Sequence, residues 1–161
     1  MNSAIDINNF NINYIYFYKV VPNSIIEEGF FNSLFYSTDK YSTTGINIYC
    51  LFEDSKIAKY YHKYKVWFDI NTNNNAKIIK ELENIEQMII SKLNISSKIP
   101  IFKLSQHIRS GNVKLFKYGN PLNGICLKIS GIWQSKHNYG ITFKFQIVQQ
   151  IITHRLKNIL N

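Results

Sequence analysis

Acidic residues are missing from the second half of this chain. All ten Asp and Glu residues lie between Asp6 and Glu86, and none occurs in residues 87–161. Residues 1–86 contain eight Lys and have a formal net charge of −2, whereas residues 87–161 contain eleven Lys and Arg and reach +11. A long segment with charge of one sign repels itself unless a polyanion neutralises it. The distribution therefore favours a polyanionic partner, and the alternative is a basic surface that only solvent covers.

Long apolar runs and an export signal are missing as well. No run approaches the ~20 apolar residues that a membrane-spanning helix requires. The N-terminal sequence "MNSAIDINNFN" has neither the basic nor the apolar region of a signal peptide. We therefore expect an intracellular protein that is not exported and does not bind membranes.

Cysteine and recognisable cofactor motifs are scarce. The two cysteines, Cys50 and Cys126, each lie in an apolar segment, which favours buried thiols over a disulfide. The four His residues form no close pair with each other or with the cysteines at zinc-ligand spacing. No Gly-rich phosphate-binding loop is present, since "YGNPLNG" lacks the Lys and the following helix. We expect no metal, no cofactor and no catalysis.

Short β-branched and aromatic segments dominate the chain. "SKIAKYYHKYK" (55–65) between two of them is expected to be a hairpin loop or a short helix, and residues 95–112 a connector. "GNPLN" and "QSKHN", which join the last three segments, have the composition of hairpin turns. The segments predict strands over residues 12–21, 31–37, 45–54, 65–70, 113–118, 124–133 and 139–150.

One segment has the period of an amphipathic helix, residues 76–93. The tail "IITHRLKNILN" is expected to form a short C-terminal helix. At 161 residues the chain suffices for one domain with a substantial core. We therefore predict a single domain over 1–161, mainly β and arranged as a β-barrel of modest size, with the amphipathic helix before the last strands. The helix prediction rests on apolar residues at steps of three and four, namely Ile78, Leu82, Ile85, Ile89 and Leu93.

The last three predicted strands each have one apolar and one polar face. Because successive side chains of a strand point to opposite sides, the apolar faces are expected to form core. Those faces contain Val113, Leu115, Ile125, Leu127, Ile129, Tyr139, Ile141, Phe143, Phe145 and Ile147. The opposite faces and the loops are basic and aromatic, with Lys114, Phe116, Tyr118, Lys128, Trp133, His137 and Lys144.

Basic residues interleaved with aromatic rings are typical of surfaces that bind single-stranded nucleic acid. Lys and Arg neutralise phosphates, and exposed rings provide stacking platforms for bases. Two further segments share this composition, "YYHKYKVWF" (60–68) and "FKLSQHIRSGNVK" (102–114). The 76–93 helix contains three Glu, which disfavours a recognition helix for duplex. The predicted contacts are Lys63, Lys65, Trp67, Lys103, Arg109, Lys114, Phe116, Lys128, Trp133, Lys136, His137 and Lys144.

The closing sequence "LKISGIWQSKHNYGITFKFQIVQ" (127–149) resembles the last hairpin of OB-fold single-stranded DNA-binding proteins of large DNA viruses and some phages. The resemblance implies an OB fold and sequence-independent coating of single-stranded DNA in viral replication or recombination, in the host nucleus or at a viral replication site. Several of those proteins end in an acidic tail, whereas this chain ends "HRLKNILN". The matching residues are Gly131, Ile132, Trp133, Gly140, Ile141, Thr142, Phe143, Lys144 and Phe145.

Two other classes of protein fit parts of the sequence. A virion or scaffold protein would use exposed aromatic residues for self-association. A metal-dependent nuclease would need carboxylates that converge on Mg²⁺, and the candidates are Asp39, Glu53, Asp54 and Asp69. The partner that we expect is single-stranded DNA, with RNA and homo-oligomer formation left open.

Overall fold

A computed structural model describes residues 4–121 and 124–148 of the chain. Its two α-helices are α1 (Asn73–Leu93) and α2 (Lys103–Ile108). Short 3-10 turns cover Ile7–Asn9 and Ile12–Tyr14. The strands are β1 (Ile5–Asp6), β2 (Ile15–Phe17), β3 (Val21–Pro22), β4 (Phe30–Ser37), β5 (Ser42–Thr44), β6 (Ile46–Cys50), β7 (Lys56–Tyr60), β8 (Lys63–Trp67), β9 (Ile99–Pro100), β10 (Asn112–Leu115), β11 (Ile125–Gln134) and β12 (Asn138–Ile147).

The strands form one sheet in the order β1-β6-β11-β12-β10-β8-β7. β4 pairs with β11 beside this path and also with β2, β3 and β5. Most pairs are antiparallel, but β10 runs parallel to β12 and meets it at the pair Leu115 and Phe145. The prediction of a mainly β fold is confirmed. Among the described strands no pairing joins β7 back to β1, so the closed barrel of the prediction is not shown.

A bulge near the middle of β11 divides this strand between two partners. The register against β12 shifts between Ile129 and Gly131. Residues 125–129 of β11 pair with β6, whereas residues 131–134 pair with β4. A Cβ atom on Gly131 would lie 2.2 Å from the Asn32 carbonyl oxygen, which no side chain tolerates. Gly131 therefore permits the close approach of β4 that completes the sheet at this end.

The predicted amphipathic helix is confirmed and begins three residues before the predicted start. The side chain of Thr72 accepts a hydrogen bond from the Asn75 N–H and so caps the first turn. Asn94 ends the helix in the left-handed region at φ 45°, a conformation that Asn tolerates. The buried stripe packs against the inner side of the sheet and consists of Ile78, Ile79, Leu82, Ile85, Ile89 and Ile90.

The inner faces of the closing strands follow the sequence prediction. Leu127, Ile129 and Leu115 are completely buried, while Lys114 and Lys144 on the opposite face are exposed. Cys50 and Cys126 are buried free thiols, as predicted. Alternation of apolar and polar residues therefore assigned these faces correctly, because side-chain direction follows directly from the pleat.

Several local predictions were wrong. Segment 55–65, expected to be a loop or a short helix, forms the β7–β8 hairpin, whose turn places Tyr61 at φ 55°. Helix α2 occupies the predicted connector. "GNPLN" does not close a hairpin, because β12 lies between β10 and β11. The predicted strand 12–21 is broken into a 3-10 turn, β2 and β3. The predicted C-terminal helix lies outside the described residues.

Candidate nucleic-acid interface

Four lysines from four adjacent strands lie in one line across the outer face of the sheet. Lys128 of β11 is directly opposite Lys144 of β12, and Lys114 of β10 is directly opposite Lys65 of β8. The inward pair Leu115 and Phe145 places Lys114 beside Lys144. We call these residues the lysine row. Since neighbouring strands are about 4.8 Å apart, the row extends roughly 14 Å across the strands.

The surface around the lysine row is free of acidic side chains. From β6 to β7, the outward positions of the described strands contain no Asp or Glu. Asp6 on β1 is the first acid at that edge, and its carboxylate accepts hydrogen bonds from the backbone and side chain of Asn8. The outward neighbours of the row are Asn47, Tyr49, Lys56, Ala58, Tyr60, Lys63, Trp67, Asn112, Phe116, Cys126, Thr142 and Gln146.

Aromatic rings lie against the ammonium groups of this face. Nζ of Lys65 is 4.1 Å from the centre of the Tyr60 ring and 6.0 Å from that of Trp67. Nζ of Lys63 is 4.9 Å from the centre of the Phe116 ring, and Phe116 is 64 % exposed. These are cation–π contacts, which hold the long Lys side chains close to flat apolar surfaces. The face therefore offers positive charge and stacking area side by side.

Two cavities adjoin the lysine row, one on each side of Lys144 and Phe116. The first, the α2 groove, has a volume of about 540 Å³ and lies where β10 and β12 separate beside α2. In it Nζ of Lys103 lies 4.9 Å from the centre of the Trp133 ring. The second, the Asn47 cavity, has a volume of about 390 Å³. Both cavities share Phe116, Lys144 and Phe145 in their walls.

Glu86 positions α2 and therefore one wall of the α2 groove. Its completely buried carboxylate accepts hydrogen bonds from the backbone N–H groups of Leu104 and Ser105, at 2.9 and 2.8 Å. Phe102, the residue that precedes α2, provides no side-chain cap. An acid from α1 thus satisfies the first N–H groups of α2, where negative charge is also favoured. Sequence reasoning missed this role, although Glu86 lies on the apolar face of the predicted helix.

The structure gathers most of the predicted contact residues but separates three of them. Arg109 forms a bidentate ion pair with Glu83, with Nη2 2.9 Å from Oε2. Lys136 and His137 are exposed in the β11–β12 turn, roughly 20 Å along the strand from Lys144. Lys63, Lys65, Trp67, Lys114, Phe116, Lys128 and Lys144 share the outer face, and Lys103 and Trp133 line the α2 groove.

The carboxylates of the nuclease alternative are distributed over three turns. Glu53 and Asp69 are linked through the buried side chain of Asn75, which accepts from the Glu53 N–H at 2.8 Å and donates to the Asp69 carbonyl at 2.8 Å. Asp54 follows Glu53, whereas Asp39 lies in the turn between β4 and β5. Within residues 4–121 and 124–148, no three His, Cys, Asp or Glu side chains are grouped to hold a metal ion.

The thiols lie in surroundings that suppress their reactivity. Burial raises the pKa of both Cys50 and Cys126. A thiol is a nucleophile only as thiolate, so neither side chain is activated in the folded protein.

Comparison of this chain with protein-family models, curated proteins and solved structures gives no match. No helix in the described part of the chain is both long and apolar enough to cross a bilayer. The lysine row and its two cavities are therefore the features of this chain that indicate a function.

Proposed function

We propose that this protein binds single-stranded nucleic acid, with single-stranded DNA as the expected partner, and that it does so without sequence preference. The proposal rests on the lysine row. Like charges directly opposite each other on neighbouring strands destabilise a sheet, and this sheet has two such pairs side by side. Phosphates laid across the row convert that repulsion into attraction and release counterions.

The rings beside the row favour a single strand over a duplex. Exposed side chains such as Phe116 stack on unpaired bases, whereas the bases of a duplex already stack on each other. The long helix α1 presents Glu81 and Glu83 outside its buried stripe, which suits it poorly to a position in the major groove. The strand would cross the β-strands with its phosphates on the row and bases over the rings. Such binding coats or protects single strands during replication or recombination.

Fluorescence anisotropy with labelled oligo-dT and a matching duplex, at several salt concentrations, tests this proposal. We expect tighter binding to oligo-dT than to the duplex. We also expect the logarithm of the binding constant to fall linearly with the logarithm of the salt concentration. For single strands the slope changes by about 0.7 for each phosphate contact removed. The double variant Lys114→Gln, Lys144→Gln should therefore flatten the slope by about 1.4. The matched variant Lys77→Gln, Lys80→Gln on α1 should not. Equal affinity of wild type for both oligonucleotides, or an unchanged slope in the row variant, would refute the proposal.

Self-association is a second candidate function, because an apolar patch lies on strands outside the lysine row. The ring of Tyr16 stacks on Phe35 with ring centres 5.3 Å apart, and that of Tyr18 is tilted against Phe35 at 4.6 Å. Both tyrosines are about half exposed. Ile25 nearby in sequence is 91 % exposed. Contiguous exposed apolar surface commonly marks an interface. Sedimentation velocity without oligonucleotide tests this function: a concentration-dependent oligomer that Tyr18→Ser dissociates supports it, and a monomer at every concentration excludes it.

A further inference from the structure

The side chain of Asn47 is buried at the edge of the lysine row with one polar atom unpaired. Asn47 lies on β6 directly opposite Lys128 and is only 7 % exposed. Its Oδ1 accepts no hydrogen bond from any group in the described residues. A buried acceptor without a partner destabilises a fold, so such atoms are rare. This acceptor is therefore available to a hydrogen-bond donor of a bound molecule.

The surroundings of that oxygen define the chemistry of the ligand. Asn47 lines the Asn47 cavity together with the rings of Phe116 and Tyr118, the amide of Gln146 and the ammonium of Lys144. The two rings are 64 % and 68 % exposed, so their surfaces are accessible. Flat apolar walls, amides in the interior and a cation at the rim match a nucleotide, with its planar base, hydrogen-bonding edge and phosphate.

We propose that the Asn47 cavity receives one base of the bound strand, with Asn47 Oδ1 accepting a hydrogen bond from an N–H group of that base. This inference rests on the proposed function, because Lys144 belongs to both the lysine row and the cavity wall. The backbone passes over Lys144 while the base turns toward β6. Binding then depends on the presence of a base as well as on phosphate charge.

The amide of Asn47 suits a site that tolerates every base. A carboxamide offers both an acceptor and donors, and each of the four bases presents at least one N–H group at its pairing edge. The cavity therefore discriminates a base from no base without selecting one sequence. Thymine has a single N–H donor, at N3, which makes oligo-dT the sharpest probe.

Three oligonucleotides of equal length separate the base contact from the phosphate contacts: oligo-dT, its N3-methylthymine analogue and an oligomer of abasic residues. Wild type should bind oligo-dT about tenfold more tightly than the N3-methyl analogue, the effect of one hydrogen bond to a buried group. Asn47→Leu keeps the number of side-chain heavy atoms and their branching. This variant should bind oligo-dT about tenfold more weakly than wild type does, and it should bind the N3-methyl analogue with the same affinity as wild type. Asn84→Leu on the exposed side of α1 is the matched control and should leave all three affinities unchanged.

The thermal midpoint of the free protein supplies a second measurement. Since Asn47→Leu removes an unpaired buried acceptor, it should raise the midpoint while it weakens binding to oligo-dT. The base site is refuted if Asn47→Leu binds oligo-dT as tightly as wild type does. It is also refuted if the N3-methyl group lowers the affinity of the variant by the same factor as that of wild type. If wild type binds none of the three oligonucleotides, the proposed function itself is refuted. Failure of the base site and failure of the proposed function therefore give different results.

Discussion

The hydroxyl of Ser105 donates a 2.6 Å hydrogen bond to the carboxylate of Glu86, across the contact between α1 and α2. Glu86 is the last acidic residue of the sequence, and Ser105 belongs to the acid-free segment that follows it. The last acidic side chain of the sequence is therefore buried and holds α2, and with it Lys103, beside the sheet.

Replacement of Glu86 by Ala should destabilise the protein strongly. The substitution leaves the N–H groups of Leu104 and Ser105 without their acceptor, which predicts a loss of about 3 kcal/mol in the free energy of unfolding. Glu86→Gln keeps one acceptor oxygen and should cost about 1 kcal/mol. Urea denaturation measures both, with the exposed neighbour Gln87→Ala as control. Equal stability of the Ala and Gln variants would contradict the capping role.

Replacement of Lys114 by Gln should weaken binding and stabilise the free protein. The variant removes a phosphate contact, and it also relieves the repulsion from Lys65 on the neighbouring strand. We expect a gain of about 0.5 kcal/mol in the free energy of unfolding at low salt, which screening abolishes at high salt. Urea titrations at two ionic strengths measure the gain. A loss of stability would show that the opposed ammonium groups do not repel each other appreciably.

Replacement of Phe116 by Ala should lower affinity for single strands without unfolding the protein. The ring is largely exposed, and its stacking on a base contributes about 1–3 kcal/mol of binding free energy. Affinity for oligo-dT should therefore fall at least fivefold, with an unchanged circular dichroism spectrum. Tyr41→Ala, in the turn between β4 and β5 and away from the lysine row, is the matched aromatic control. An unaffected affinity would exclude Phe116 as a stacking platform.

The two buried thiols should make stability fall as pH rises above the ordinary cysteine range. Burial raises the pKa of Cys50 and Cys126 in the folded protein, so the fold keeps both protons while the unfolded chain loses them above about pH 8.5. Their stabilisation is complete below that pH and should decline above it, by about 1 kcal/mol for Cys50 at pH 9.5. Urea titrations under reducing conditions at pH 7.5 and 9.5 measure this decline. Cys50→Ala should make this decline smaller by about 1 kcal/mol. An equal decline in wild type and variant would assign it to other groups.

The elements that the sequence predicted well are those with a strong local pattern. The apolar steps from Ile78 to Leu93 specify α1, and the alternation in β11 and β12 specifies which side chains are buried. α2 was missed because its six residues are too few for a periodic signal and its first N–H groups are capped by Glu86, which is distant in sequence.

The candidate site was predicted as a set of residues, without its arrangement. Lys128 and Lys144 lie on the two strands of one hairpin, and the short turn between these strands places the two residues opposite each other. Lys65 and Lys114 come from strands separated by α1, and only the pairing of β8 with β10 brings them together. Arg109 and Lys114 belong to the same basic segment of the sequence, 102–114. In the structure Arg109 forms an ion pair with Glu83 of α1, whereas Lys114 lies in the lysine row.

By itself the sequence determined where the charge lies, which faces of the strands are buried and where the long helix forms, because each depends on side chains that are close along the chain. The tertiary structure alone decided that β12 lies between β11 and β10. The parallel contact of β10 with β12 joins residues that are distant in sequence, and its register is set by packing of Leu115 and Phe145 in the core. That packing aligns four separate lysines into one row, and Oδ1 of Asn47 lies buried beside this row without a hydrogen-bond partner among the described residues.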